Sequence, residues 1–529
     1  MNHAWGMDTA NADQTTSGAE WVPIGTYTFL ESGGSVVLSN QDGEEGKTVC
    51  ADAVRFVREG TQYDRVYQGM WIYSWGLGFL SAEETKDMID TARSNNLNCI
   101  FPEVRKTGDA YYKSTTEPRG TNIDPGYEDP LADIISRAHD TSEGKPYIEV
   151  HAWVVPYRVW KLSMGDVPTS HILNRHPEWL SERYSGDPDP DGNLCLDPGV
   201  PGVTDYIVDV VTEIVKNYDV DGIHWDYFRY TEADWGYNPI AIERFNKLYD
   251  KEGVPLPNDP DFSDFRRDQV RQMGRKAYAA VKAIRWNCKM SSATIGWGDC
   301  PENYFVSSPY SQAYQDFVGF MQEGLLDINV HMGYKREHIA NQAHDFRDWT
   351  RFVASTKAGR HAIKGHGIYL NSIENSITQI LFAMDCPGID GVSLYVYHQT
   401  NKDGFGEGVF WNTARKDCFP KFRETPSAPW IETPTCGILR GTVKNHEGII
   451  LDGATVEVSG SADFSLKADG TGFYAFLKLP EGDDYTVAAS CDNECSKTLG
   501  IAIPAGKVTT LDFVLEEKAE QKPSGFVMR

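Results

Sequence analysis

The sequence predicts an α/β protein built on a (β/α)8, TIM-type barrel, flanked by a partial N-terminal β-sandwich fragment and a C-terminal all-β sandwich. Three observations carry that expectation. From about residue 66 to 420, short apolar runs of strand length alternate with stretches of helical periodicity. Eight such runs occur, the number that closes a parallel barrel. On either side, apolar and polar residues alternate between glycine turns, the pattern of antiparallel strands.

Taken in order, the run "WVPIGTYTFLESGGSVVLSNQDGEEGKTVCADAVRFV" gives three short strands, too few to enclose a core. The barrel strands are expected in "YQGMWIYSW", "LNCIFPEV", "YIEVHAWVV", "VDGIHWDYF", "KMSSATIGW", "LLDINVHMGY", "HAIKGHGIYL" and "IDGVSLYVY". Helices fill the gaps. Ser81 with Glu84 forms a capping box ahead of "ETKDMIDTARSN", and Ile207, Val210, Val211, Ile214 and Val215 make one apolar stripe. The longest connections follow the third and fourth strands, where insertions that shape a substrate site are expected. Then "FPKFRETPSAPWIETPTC" carries Pro420, Pro426, Pro429 and Pro434, which forbid a continuous helix and mark a boundary. Beyond it, "GILRGTV", "GATVEVSG", "GTGFYAFLKLP" and "DYTVAAS" are strand-length segments separated by turns. The expected layout is 1–60 fragment, 61–420 barrel, 421–435 linker, 436–517 sandwich and 518–529 tail.

A chain of 529 residues, 40% hydrophobic and 12% aromatic, suffices for one large domain with smaller companions. Its 50 basic and 76 acidic residues give a formal charge of -26, which repels phosphate backbones, so nucleic acid is not expected as a partner. No stretch approaches the roughly 20 apolar residues of a transmembrane helix. The N-terminus lacks the basic, apolar and small-residue order of a signal peptide. Among ten cysteines, only Cys491 and Cys495 in "CDNEC" are close enough in sequence to suggest a local disulfide. No cofactor is expected.

The densest chemistry lies in "DGIHWDYFRY", residues 221 to 230. Active sites of such barrels sit at the C-terminal ends of the strands. Strand alternation places Gly222, His224 and Asp226 on one face, with Asp226 at the mouth and His224 just below it. The competing reading has Asp226 capping a helix or pairing structurally with Arg229. Other strand ends supply Glu103; Glu149, His151 and Trp153; Asp299; His331 and Tyr334; His366 and Tyr369; and Tyr397 and His398. Trp71, Trp75, Trp153, Trp297, Tyr334 and Tyr397 would line the bowl with flat apolar faces, which suit the C–H faces of sugar rings beside acids.

Glycoside cleavage needs one carboxylic acid to protonate the leaving oxygen and one carboxylate acting as nucleophile or base. Asp226 is the expected carboxylate, with Arg229 holding it ionised, and Glu103 the expected acid; Asp299 and Glu232 are alternatives. A salt bridge from Glu103 to Arg105 or Arg158 is the structural alternative. His224, Arg229, Tyr334 and Trp153 would position the sugar, with Trp297 and Tyr397 as further contacts.

The blocks "FPEVRKTGDAYYKSTTEPRG", "DPGYEDPLADIISRAHD", "EVHAWVVPYR", "HPEWL", "LDPGVPGVTDYIVDVVTEIVKNYDVDGIHWDYFRY" and "FRRDQV", in that order, resemble the glycosyl hydrolase-like 10 family of bacterial barrel proteins. The resemblance covers most of residues 66 to 400 and implies action on bacterial cell-wall glycan or a related polysaccharide. By position, the resemblance puts Arg105, Asp109, Tyr112, His151, Trp153, Tyr157, Arg158, His224, Asp226, Arg229 and Tyr334 on the family's recurrent polar or aromatic sites. This chain departs from the family at Glu103, where glutamine is usual; at Val155, which replaces an asparagine; at Thr231, which replaces a proline; and at Met332 and Lys335, which replace glutamine and tryptophan. "SVVLSN" and "ADAVRFV" resemble the closing strands of a golvesin C-terminal-like domain whose first two thirds are missing. The chain therefore reads as a fragment or truncated product, with any export signal lost. "LDGATVEV", "ADGTGFYAF" and "LPEGDDYTV" resemble a carboxypeptidase regulatory-like module, a class that serves as stalks or spacers.

Two rival readings share the barrel. Histidines 151, 224, 331, 366 and 398 invite a metal-dependent hydrolase, although the first strand offers Trp71, Tyr73 and Trp75 instead of an H-x-H pair. A non-catalytic carbohydrate-binding protein is the other. The glycosidase reading places the protein outside the cytoplasm, extracellular or periplasmic, with β modules able to hold it at a cell surface.

Overall fold

The computed structural model describes residues 65–517 apart from Asn493 and Lys497, together with a small antiparallel pair, Asn2–His3 with Gly6–Met7. The chain divides into two compact units, Met1–Asp64 and Arg65–Arg529. The strands expected between residues 20 and 58 lie outside the described residues.

Eight parallel strands form a closed barrel: β1 (Tyr67–Ile72), β2 (Cys99–Arg105), β3 (Glu149–Val154), β4 (Gly222–Trp225), β5 (Lys289–Ile295), β6 (Ile328–Gly333), β7 (His361–Gly367) and β8 (Gly391–Tyr395). Each pairs with the next, and β8 closes on β1 with Gly391 opposite Tyr67. Every residue of β1, β2, β3, β4 and β7 is buried, because side chains on one face fill the barrel and those on the other meet the helices. Tyr67, Trp71, Cys99, Phe101, Trp153, Ile328, Val330 and Ile363 form the inner cluster at alternate strand positions. Gly365 on β7 makes room for the Trp71 indole, since a Cβ there would lie 2.6 Å from its ring.

The helical layer comprises α1 (Ala82–Ser94), α2 (Pro130–Ala138), α3 (Pro201–Asn217), α4 (Pro239–Tyr249), α5 (Pro260–Ile284), α6 (Phe317–Glu323), α7 (Ala340–Ser355), α8 (Ile373–Asp385) and α9 (Glu407–Asp417). The α3 stripe Ile207, Val210, Val211, Ile214 and Val215 is fully buried, worth ~1.5–3 kcal/mol for each side chain. Two excursions interrupt the alternation. After β3 the chain makes a small hairpin, Arg158–Lys161 with Asn193–Cys195, before α3. After β4 it runs through an irregular segment to α4.

The proline-punctuated linker lies against the opposite end of the barrel. Thr425 donates to Glu149 (2.6 Å), Trp430 Nε1 to Asp327 (2.8 Å), and His361 contacts the Ser427 carbonyl (3.1 Å). Asp327, fully buried, also takes Lys282 at 3.1 Å and Arg360 at 2.9 Å.

Beyond the linker an all-β sandwich encloses Leu439, Val443, Val456, Tyr474, Tyr485, Val487 and Leu515. Its first strand, Cys436–Asn445, pairs antiparallel with Phe473–Pro480. The sandwich is clasped to the barrel: Arg244 on α4 meets Asp452 at 2.8 Å, Lys276 on α5 donates to Thr471 (2.6 Å), and Arg440 donates to the Ala279 carbonyl (3.3 Å). It is not a free spacer. The expected Cys491–Cys495 disulfide is absent, and both thiols are free. Strand register explains it: Cys491 opposes Glu494 and Ser490 opposes Cys495, so the two sulfurs belong to opposite faces of the ladder. Among the described residues no helix is long and apolar enough to cross a membrane.

Candidate active site

The C-terminal end of the barrel gathers acids, guanidinium groups and aromatic rings. Glu103, the inward residue near the end of β2, is only 2% exposed. Its Oε2 accepts from the Ser74 backbone N–H at 3.0 Å and from Ser74 Oγ at 2.9 Å. Burial pushes its carboxyl up to about 7, against the opposing pull of Ser74, Arg158 and Lys106. Glu103 therefore keeps a substantial protonated fraction near neutral pH, where an ordinary glutamate is ionised.

Asp226 follows the last residue of β4, its N–H bonded to the Val154 carbonyl at 3.1 Å. No helix begins there and, among the described residues, Asp226 makes no ion pair, so neither structural alternative for it is realised. Its Oδ1 accepts from the Tyr227 N–H at 2.7 Å. Burial raises its carboxyl above the usual range despite Arg229, the Tyr227 N–H, Arg158 and Trp153, which favour the anion. Arg229 thus moderates the desolvation without overcoming it.

Tyr227 has φ of 51°, a left-handed conformation that an aromatic residue seldom adopts. That backbone turns its N–H onto Asp226 and brings its ring against two cations: Arg158 Cζ lies 4.5 Å and Arg229 Cζ 4.3 Å from the ring centroid. Arg158 is close enough to both Glu103 and Asp226 to act on each electrostatically. The Nε atoms of Arg158 and Arg229 are buried without hydrogen-bond partners, while the Trp153 indole stands beside the Asp226 carboxyl and favours its anion.

Aromatic rings complete the bowl. Tyr395, the last residue of β8, stacks on Tyr334 at 5.3 Å, lies 5.8 Å from Tyr369 and 6.5 Å from Trp153, and faces Trp71 from above. Trp297 after β5 is 42% exposed with Arg229 5.1 Å from its ring. It borders a cavity of about 400 Å³ shared with Tyr334, Lys335, Asp299 and Asp345.

Of the residues expected from sequence, Glu103, Asp226, Trp153, Arg158, Arg229, Trp297 and Tyr334 come together here. Others do not. Arg105 is completely buried and pairs with Glu117 at 2.7–2.9 Å, while donating to the Val155 and Pro156 carbonyls, so it braces the loop after β2 and leaves Glu103 alone. His224 lies inside the barrel with both nitrogens engaged: Nε2 accepts from Trp71 Nε1 and Nδ1 meets Ser291 Oγ, each at 2.9 Å. Burial, with His151 nearby, depresses it far below its usual range. His151 sits deeper, 3.1 Å from Glu149, which Lys289 grips at 2.6 Å. Tyr397 lies beyond the last rung of β8 and turns toward α1 and α9, near Thr91, Asp87, Glu84 and Glu407. Of the alternative acids Asp299 and Glu232, both exposed, Asp299 lines the cavity beside Trp297.

The five histidines do not converge. His331 and His366 face the helix layer against Trp349 and Phe346, and His398 meets the Tyr73 hydroxyl at 2.8 Å. Among the described residues, the cluster able to offer three metal donors is Cys99, Glu149 and His151, inside the barrel and away from the mouth, with the Lys289 ammonium already on Glu149. Sequence reasoning missed Tyr395 and Tyr227. The first was detectable, since Gly391, Ser393 and Tyr395 share the inward face of β8; the second depends on a left-handed backbone that no residue type announces.

Comparison with known proteins agrees with this architecture. Residues 1–58 match the golvesin C-terminal domain and 438–516 the carboxypeptidase regulatory-like domain. The chain is 25% identical over 406 residues to the glycosyl hydrolase YngK of Bacillus subtilis, covering 70% of this chain and 75% of that protein. It is 28% identical over 264 residues to the glycosyl hydrolase DigH of Escherichia coli, covering 46% of this chain and 55% of that protein. The PgaB (BpsB) glycoside hydrolase domain from Bordetella bronchiseptica shares the fold, with TM-score 0.50 and 11% identity over 67% of this chain and 99% of that one. With residues 67–375, more than half of its length, matching the glycosyl hydrolase-like 10 family, the chain belongs to that family.

Proposed function

We propose that this protein hydrolyses a glycosidic bond in a polysaccharide, with bacterial cell-wall glycan as the substrate class. Asp226 is the nucleophile or base and Glu103 the proton donor. Trp153, Arg158, Arg229, Trp297, Tyr334 and Tyr395 hold the sugar. The observation that carries this reading is a pair of desolvated carboxyls on β2 and at the end of β4, facing one aromatic bowl, with the donor's carboxyl at about 7. Wall glycan lies outside the cytoplasmic membrane, so an extracellular or periplasmic location goes with the reading, and the β modules are candidates for surface attachment.

The test is release of reducing ends from peptidoglycan and a panel of soluble polysaccharides. Asp226→Asn and Glu103→Gln are each expected to lower turnover by ~10²–10⁴-fold. Glutamine keeps an oxygen for the Ser74 bonds, so Glu103→Gln separates proton donation from packing. Equal turnover by Asp226→Asn and wild type would remove the central residue.

A further inference from the structure

We propose that the mouth is an open groove with two opposed stacking platforms, Trp75 and Trp297, so that the protein grips a glycan on both sides of the scissile bond and cuts within chains. This deepens the glycosidase reading and rests on it. In a closed barrel of eight strands, β1 and β5 are four strands apart in either direction, so the loops after them face each other across the mouth. Trp75 belongs to the first loop and Trp297 to the second.

Both indoles are unusually open, 46% and 42% exposed, although tryptophan is mostly buried in folded proteins. Each has a cation against its ring: Lys106 Nζ 4.4 Å from the Trp75 centroid, Arg229 Cζ 5.1 Å from that of Trp297. A cation on one face fixes an indole and leaves the other face to a ligand. Each platform is also tied to one acid. Ser74, the neighbour of Trp75, supplies both hydrogen bonds to Glu103; Arg229, under Trp297, is the guanidinium that acts most strongly on Asp226.

The order around the rim is therefore Trp75, Glu103, Trp153, Asp226, Trp297, with the acids in the middle and the platforms at the ends. Beyond Trp297 the cavity of about 400 Å³ leaves room for a further sugar. The loops after β1 and β8 also carry exposed apolar side chains, Leu77 and Phe405, each 59% exposed. A site built to trim chain ends needs a closed side.

The experiment uses the full chain carrying Asp226→Asn and length-fractionated glycan strands prepared from peptidoglycan, with binding measured by calorimetry. Affinity should rise with strand length, and Trp75→Ala and Trp297→Ala should each weaken binding of long strands about tenfold, the size of a lost stacked ring. If either substitution leaves long-strand affinity intact, or if no strand binds, the two-platform groove is wrong. In parallel, wild type is given end-labelled strands. Fragments of mixed internal length support the inference, whereas label released only in the smallest product overturns it and leaves the hydrolase reading standing. Two-sided binding without new reducing ends would do the reverse, retaining the groove and defeating hydrolysis.

Discussion

Glu103 shows what a single residue's surroundings do to its chemistry. In water its carboxyl would be ionised at neutral pH; burial at the end of β2 lifts it to about 7, even though the Ser74 hydrogen bonds favour the anion. Turnover should accordingly fall as pH rises through about 7, while the acid limb follows Asp226, whose carboxyl is also raised. Glu103→Gln should lose the alkaline limb with most of its rate, and a wild-type profile flat across pH 6–8 would contradict the donor role. The same shift bears on stability. The folded state holds the Glu103 proton more tightly than the unfolded chain, so this stabilisation is complete below the ordinary glutamate range and is lost as pH rises through about 7. Residue-level legibility was uneven for a physical reason. Strand alternation located Asp226 and Glu103, because each extends a buried strand at its C-terminal end. Arg105 and His224 look equally functional in sequence, but Arg105 is held by Glu117 and the Val155 and Pro156 carbonyls and His224 by Trp71 and Ser291, partners that only folding brings near.

At the scale of elements, the cap of α1 was half legible. Ser81 Oγ accepts from the Glu84 N–H at 3.2 Å as the capping box predicts, but Glu84 reaches past Ser81 to the N–H groups of Gly78 and Leu80, at 3.1 and 2.9 Å. Glu84 therefore secures the loop that carries Trp75 as well as the helix. Ser81→Ala should cost ~1 kcal/mol in denaturant unfolding with turnover little changed. Glu84→Ala should in addition weaken glycan binding, because the loop after β1 is loosened; equal effects of the two substitutions on binding would refute that second role. The eight strands were legible because a parallel sheet covered on both faces demands continuous apolar runs. Their ends were not. β8 stops at Tyr395 and not two residues later, which sends Tyr397 toward α1 and puts Tyr395 in the bowl.

For the molecule as a whole, the contact between barrel and C-terminal sandwich changes the expected behaviour of a spacer module. Arg244 is shared: it meets Asp452 of the sandwich and also donates to Gln269 at 2.7 Å within the barrel's helical layer. Arg244→Ala should destabilise by ~2 kcal/mol, leaving buried acceptors without donors. Hydrogen exchange should then quicken both in α4 and α5 and in the sandwich strands. Faster exchange on one side alone would show that the two fold independently. The sequence by itself determined the layer order, the barrel and the all-β region after it, and it put Asp226 and Glu103 at strand ends, because hydrophobic periodicity and strand-end position are local properties of the chain. Only the tertiary structure decided which polar side chains remain free for a substrate, which rings form the bowl, and how far the module is fastened to the barrel. Those outcomes depend on desolvation and on partners far apart in sequence, such as Arg105 with Glu117 and Asp452 with Arg244, whose pairing no local pattern encodes.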